Sequence, residues 1–120
     1  MANILLVDDA AFMRLSLKQM LEPHGHKVIA EAEDGAQAID RFKACKPDIT
    51  ILDITMPEVS GLDALKSIKE LDPQAKVVIC SALGQQEQLA RAIELGANDF
   101  IVKPFQPERM LAAIDKVLNM

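Results

Sequence analysis

Five residues of this 120-residue chain have types and positions that could do chemistry together. Asp53 ends the apolar run Ile49-Thr50-Ile51-Leu52, inside a stretch bounded by Pro47 and Pro57, and Asp8-Asp9 end a second run, Ile4 to Val7. Ser81 follows Val77 to Cys80, and Lys103 follows Phe100 to Val102. Short runs of branched apolar residues without a hydrophilic side read as strands covered on both faces. A carboxylate at the carboxyl end of such a strand stands where open α/β sheets place their sites. Three carboxylates converging there repel one another, which is costly without a cation. Oxygen ligands completed by water suit Mg²⁺ better than zinc or copper. A hydroxyl, an ammonium and a divalent cation around one carboxylate make a site for a transferring phosphoryl group. The lysine and the metal offset negative charge, the hydroxyl donates a hydrogen bond, and the carboxylate is the nucleophile. Singly, each residue has a plainer role: Asp8 or Asp53 in a turn, Ser81 as a helix cap, Lys103 as a solvated strand end. Four strand ends supplying compatible chemistry outweigh those separate roles.

The elements that must position these residues follow from periodicity. After Asp8-Asp9, Met13, Leu17, Met20 and Leu21 share one helical face, and Pro23 with Gly25 stops that helix. His26 to Glu33 alternates, with Val28, Ala30 and Ala32 opposite Lys27, Ile29 and Glu31, the pattern of a partly exposed edge strand. Asp34-Gly35 opens a helix carrying Ala38, Ile39 and Phe42. Ser60 is placed to cap a helix bearing Leu62, Leu65 and Ile68, which Asp72-Pro73 ends. A helix with Leu89 and Ile93 runs to Gly96, and Pro107 begins the last, with Met110, Ile114, Val117 and Leu118 as its stripe. Five βα units in strict alternation predict an α/β fold, a five-stranded parallel sheet with helices on both faces. With the second strand at an edge, right-handed crossovers favour the order 2-1-3-4-5. The switch point then lies between the strands that end in Asp8-Asp9 and Asp53.

Composition narrows the function classes. A net charge of −5 argues against broad nucleic-acid or anionic-membrane binding. No apolar run approaches the roughly 20 residues of a membrane span, and Asp8-Asp9 come too early for a signal peptide. Cys45 and Cys80 lack metal-ligand spacing and suit a reducing, cytoplasmic setting as free structural thiols. His24 and His26 flank Gly25 and are expected to be solvated.

The acidic pair Asp8-Asp9, Asp53 with Met56-Pro57 and Gly61 after it, Ser81-Ala82, and Lys103-Pro104-Phe105 resemble the receiver domain of two-component response regulators, over the whole chain. More narrowly, the runs from Asp9 to Arg14, Asp53 to Pro57, Cys80-Ser81-Ala82 with Gly84-Gln85-Gln86, and Phe100 to Phe105 resemble stand-alone CheY-type chemotaxis regulators, especially those of Gram-positive and thermophilic bacteria. The resemblance implies a single receiver domain over residues 1–120 with a flavodoxin-like, CheY-like fold. It implies that Asp53 accepts a phosphoryl group from a histidine kinase of the CheA type. Mg²⁺ would be bound by Asp8, Asp9, Asp53 and the backbone carbonyl of Thr55, Asp8 in part through water. Ser81 and Lys103 would contact the phosphoryl oxygens, and the Lys103–Pro104 bond would be cis. Ser81 and Phe100 stand at the switch positions; Phe100 lacks the hydroxyl of the Tyr common there, and Ser81 lacks the methyl of the commoner Thr. Phe100, Val102 and Lys116 match positions that meet a partner peptide, with Gln86 and Leu89 bordering it. That partner would be a flagellar switch protein of the FliM type, with a phosphatase as a further partner.

The expected function is therefore a monomeric, cytoplasmic signalling module rather than an enzyme, although it assists its own phosphorylation and dephosphorylation. A chain that ends one helix after Lys103 is expected to act by docking onto another protein. An alternative within the class is a phosphorelay intermediate that passes its phosphoryl group to a second histidine protein. A magnesium-dependent aspartyl phosphatase would keep a second aspartate two residues after its nucleophile, whereas Asp8 and Asp9 are adjacent. A flavin- or nucleotide-binding protein would want a Gly- or Ser/Thr-rich loop where Asp8-Asp9-Ala10-Ala11 is anionic.

Overall fold

The computed structural model describes residues 2–54 and 61–120. Strand β1 (Asn3–Val7) leads into helix α1 (Ala11–Leu21), and the alternation continues through β2 (Lys27–Ala32), α2 (Gly35–Cys45) and β3 (Ile49–Asp53). Helix α3 (Gly61–Leu71), β4 (Val77–Ala82), α4 (Gln86–Glu94), β5 (Asp99–Lys103) and α5 (Pro107–Leu118) complete it. All strand pairs are parallel, in the order β2-β1-β3-β4-β5.

Strand side chains alternate between the two faces of the sheet, so β1 feeds two cores. Ile4 and Leu6 join Leu17 and Leu21 of α1 and Met110, Ala113, Ile114 and Val117 of α5. Leu5 and Val7 join Ala38 and Phe42 of α2, Ala64, Leu65 and Ile68 of α3, and Ala92 of α4. Every residue of β3 is buried, as its unbroken apolar run requires. Asp34 caps α2, its carboxylate accepting from the Gln37 N–H at 2.8 Å. Gly25 and Gly96 adopt left-handed φ values of 89° and 104° after the Glu22–His24 turn and after α4.

Several expectations need correction. His26 is buried rather than solvated, and its Nδ1 accepts the Ala2 N–H at 3.2 Å. The cause is register: pairing of Asn3 with Lys27 sets the residues just before β1 and β2 side by side. In β2 the expected alternation fails at its centre, where Val28, Ile29 and Ala30 are all half-buried. Ile4 pairs with Val28 but Leu5 with Ala30, so Ile29 is an extra residue in a β-bulge. On α4 it is Ala92 that is buried, while Ile93 stands exposed. Ser81 lies within β4, opposite Val102, rather than after it. The expected Ser60 cap and the Met56-Pro57 segment lie outside the described residues. Among the described residues no helix is long and apolar enough to cross a membrane.

Candidate functional site

Register alone gathers the chemistry. Val7 pairs with Leu52, so the next residue on each strand, Asp8 and Asp53, stand side by side at the carboxyl edge. Asp53 pairs with Cys80, and Ser81 and Ala82 pair with Val102 and Lys103. Carboxylate oxygens of Asp8, Asp9 and Asp53 all lie within 4.8 Å of one another, a spacing able to hold a metal ion. Asp8 and Asp53 are each only 3 % exposed, whereas Asp9 is open to solvent. Across the crevice, Lys103 Nζ lies 3.1 Å from Asp8 Oδ2 and 3.3 Å from Asp53 Oδ2. The Lys103–Pro104 peptide is cis.

Burial, with the charge of Asp53 adding to it, holds the Asp8 carboxyl above its ordinary pKa; the Ala10 N–H and Lys103 only partly offset this. Burial alone would lower Lys103, but its hydrogen bond to Asp8 and the two carboxylate charges outweigh it and raise the ammonium. Two carboxylates thus share one cation, and the third, exposed Asp9 completes an oxygen donor set that fits a hard cation such as Mg²⁺. Ser81 Oγ is buried and has no hydrogen-bond partner among the described residues. A buried hydroxyl without a partner is costly, and this one belongs to the strand between those carrying Asp53 and Lys103. Beside them, burial pushes the Cys80 thiol up to about 12, so it stays an inert core residue. Thr55 lies outside the described residues.

The expected partner-facing residues form a separate group. Phe100 and Val102 are half-buried on β5 and Lys116 is exposed on α5, with Gln86 exposed and Leu89 half-buried on α4. Arg109 Nη2 donates to the Phe100 carbonyl at 2.8 Å, and Lys116 Nζ stands 3.9 Å from Asp99 Oδ2. Phe100 already packs against the core formed with α2, α3 and α4. A hollow of about 450 Å³ lined by Phe42, Lys43, Lys46, Pro47, Leu71 and Asp72 contains none of these residues.

Two contributors were quoted in the sequence only within the resemblance, without a role. Gly61 begins α3 against the site: a Cβ there would collide with the carbonyl oxygen of Asp53. Its signal was the glycine eight residues after a strand-ending aspartate. Arg14 donates to the Asp8 carbonyl at 2.6 Å and pairs with Glu31 at 3.0 Å. No local pattern announces that contact, because Glu31 is seventeen positions away.

A doubly wound sheet with acidic residues, a lysine and a buried hydroxyl at its switch point defines a phosphoryl-transfer class of α/β domain. The chain belongs to the response regulator receiver domain family, whose model matches residues 4–115. It is 56 % identical over 117 residues to the chemotaxis protein CheY of Bacillus subtilis, covering 98 % of both chains. It is 53 % identical to CheY of Thermotoga maritima, covering 96 % of both. Among solved structures, the response regulator domain of Thermotoga maritima CheB superposes with a TM-score of 0.91 at 33 % identity, covering 98 % of this chain and 96 % of that one. CheY in the CheX-CheY-BeF3-Mg complex from Borrelia burgdorferi gives 0.91 at 37 % identity, covering 96 % and 87 %. The protein is thus a two-component receiver closely related to chemotaxis regulators.

Proposed function

We propose that the chain is a phosphorylation-switched chemotaxis regulator in which Asp53 accepts a phosphoryl group from a histidine kinase. One observation carries this reading: Lys103 Nζ spans Asp8 and Asp53 while Ser81 Oγ, on the intervening strand, is buried without a partner among the described residues. A carboxylate oxygen of Asp53 attacks phosphorus; the P–N bond of the phosphohistidine breaks and the imidazole leaves with its electron pair. Lys103, now paired with Asp53 Oδ2, turns to the new phosphoryl oxygens, and Ser81 donates its hydroxyl to one of them. Asp8, Asp9, Asp53 and the Thr55 carbonyl would hold Mg²⁺, which would supply charge neutralisation for the phosphoryl oxygens. The same groups would assist hydrolysis of the acyl phosphate by water.

Output is proposed to run through the surface of α4, β5 and α5, where Phe100, Val102 and Lys116 meet a partner such as a flagellar switch protein. The relationship to chemotaxis regulators supports this choice over a phosphorelay intermediate. The test is incubation with acetyl phosphate and Mg²⁺, followed by mass spectrometry of the adduct. A single phosphoryl group on Asp53, lost in Asp53→Asn and in excess chelator, is the expected result; wild-type labelling of Asp53→Asn overturns it.

A further inference from the structure

We infer that Arg14 is a positioning residue for the metal site, holding the Asp8–Asp9 corner in the shape a cation requires; this rests on the metal-binding reading above. The guanidinium joins two elements. Nη1 donates to the carbonyl oxygen of Asp8 at 2.6 Å, and Nε pairs with Glu31 Oε1 on edge strand β2 at 3.0 Å. The Asp8 carbonyl belongs to the peptide that links Asp8 to Asp9. Both carboxylate-bearing side chains leave the backbone from residues flanking that peptide, so its orientation sets the direction of both.

The rest of the corner is held by backbone and cap bonds. Asp8 N–H donates to the Ala32 carbonyl, Ala10 N–H to Asp8 Oδ1, and Met13 and Arg14 N–H to the Ala10 carbonyl. Arg14 supplies the bond that reaches the Asp8–Asp9 peptide just beyond the last β1 pairings, Val7 with Ala32 and with Leu52. Its side chain is 14 % exposed, so it is fixed in place rather than free on the surface.

The residue type follows from the geometry. A guanidinium presents N–H groups on different edges of a rigid plane, and here two edges serve the Asp8–Asp9 peptide beyond β1 and strand β2 at once; a lysine ammonium is a point charge on a flexible stem. Glu31 has a second effect. By neutralising Arg14 it keeps the clamp from adding net positive charge beside a site that must accept a cation.

The experiment measures the Mg²⁺ dissociation constant by calorimetric titration for wild type, Arg14→Lys, Arg14→Gln and Val28→Ala, with Tm recorded for each. Val28→Ala trims a half-buried side chain on β2 and serves as the control for general loss of stability. Arg14→Lys and Arg14→Gln are both expected to weaken Mg²⁺ binding by about tenfold, the low end of the cost of losing a group that orients a metal ligand. Val28→Ala is expected to lower Tm without changing the constant. Wild-type affinity in Arg14→Lys, or tighter binding in Arg14→Gln, would show that Arg14 acts only through its charge and overturn the inference. Equal weakening in Val28→Ala would overturn it as well. Wild-type protein that binds no Mg²⁺ would remove the metal reading itself, an outcome distinct from wild-type binding that Arg14→Lys leaves intact.

Discussion

At neutral pH and without a divalent cation, the Asp8 carboxylate costs the folded state stability. Burial raises its pKa above 3.8, the Asp53 charge raises it further, and the Ala10 N–H and Lys103 do not cancel the effect. With the folded pKa raised, the native state binds the proton more tightly. The corresponding stability is full below pH 3.8 and is lost as pH rises through the raised value. Asp8→Asn removes the charge while leaving an oxygen for the Ala10 N–H, so in chelator at pH 7 the variant should melt higher than wild type. A gain of a few degrees is the expected scale, since each kcal/mol moves Tm by roughly 4 °C in a domain of this size. Near pH 3 the difference should vanish, and millimolar Mg²⁺ should stabilise wild type more than the variant. Calorimetry across pH with and without Mg²⁺ checks all three; an Asn variant no more stable than wild type in chelator at pH 7 contradicts the account. At this scale the sequence was legible where polarity changes abruptly. Asp8, Asp53 and Lys103 stand out because each ends an apolar run. Arg14 did not, because its contacts depend on the pairing of β1 with β2 rather than on its neighbours along the chain.

Elements hold the site through a few close approaches. Helix α3 begins so near the end of β3 that a side chain at Gly61 would occupy the space of the Asp53 carbonyl. Gly61→Ala must therefore move either the helix or the strand end, and overpacking of this kind costs about 1–3 kcal/mol. Because the displaced backbone carries Asp53, Mg²⁺ affinity should fall along with Tm. Gly84→Ala is the contrast: open space surrounds it, and only its left-handed φ of +88° resists the change. That variant should lose about 1–2 kcal/mol of stability with Mg²⁺ affinity unchanged, a difference that paired melting and calorimetric titration would resolve. His26 ties the approach to β1 against the start of β2, and burial lowers its pKa below 6.5. A lowered pKa in a base means stability that is present above pH 6.5 and lost as pH falls through the folded value. His26→Asn keeps an acceptor near the Nδ1 position without a titrating ring. Its Tm should therefore decline less than that of wild type between pH 7 and 5; parallel curves would show that the ring's protonation does not matter. Element types were readable because apolar runs and helical periods differ in length and spacing. The bulge at Ile29 and the outward turn of Ile93 were not, since each depends on what lies across the sheet or beneath the helix.

At the scale of the whole molecule, the sheet order followed from one mixed strand among apolar ones, and that order alone places the acidic residues at a switch point. The route from the site to the output surface was less legible, because it depends on which atoms are left unsatisfied. Ser81 Oγ is buried without a partner among the described residues, and a small hollow of about 70 Å³ lies between Ser81, Gln86, Leu89 and Val102. A phosphoryl oxygen on Asp53 would give that hydroxyl its missing partner and draw it toward the crevice. Phe100, half-buried two residues before Val102, would then settle deeper against the core that Leu89 and Ala92 share with it. Its carbonyl, held by Arg109, would link that movement to α5. Full reversal of a two-state equilibrium from 1:99 to 99:1 needs about 5.5 kcal/mol of differential interaction. One hydrogen bond to a charged group contributes roughly 1.5–3 kcal/mol, so Ser81 would supply part of the coupling, and Lys103 with the cation would have to supply the remainder. Ser81→Ala should therefore still accept a phosphoryl group, while the phosphorylation-dependent gain in affinity for a flagellar switch peptide falls about ten- to a hundredfold. The measurement is peptide affinity for wild type and variant, each with and without beryllofluoride and Mg²⁺. A gain in Ser81→Ala equal to that of wild type would show that the signal reaches β5 by another path, through Lys103 at its end rather than through the hydroxyl on the neighbouring strand.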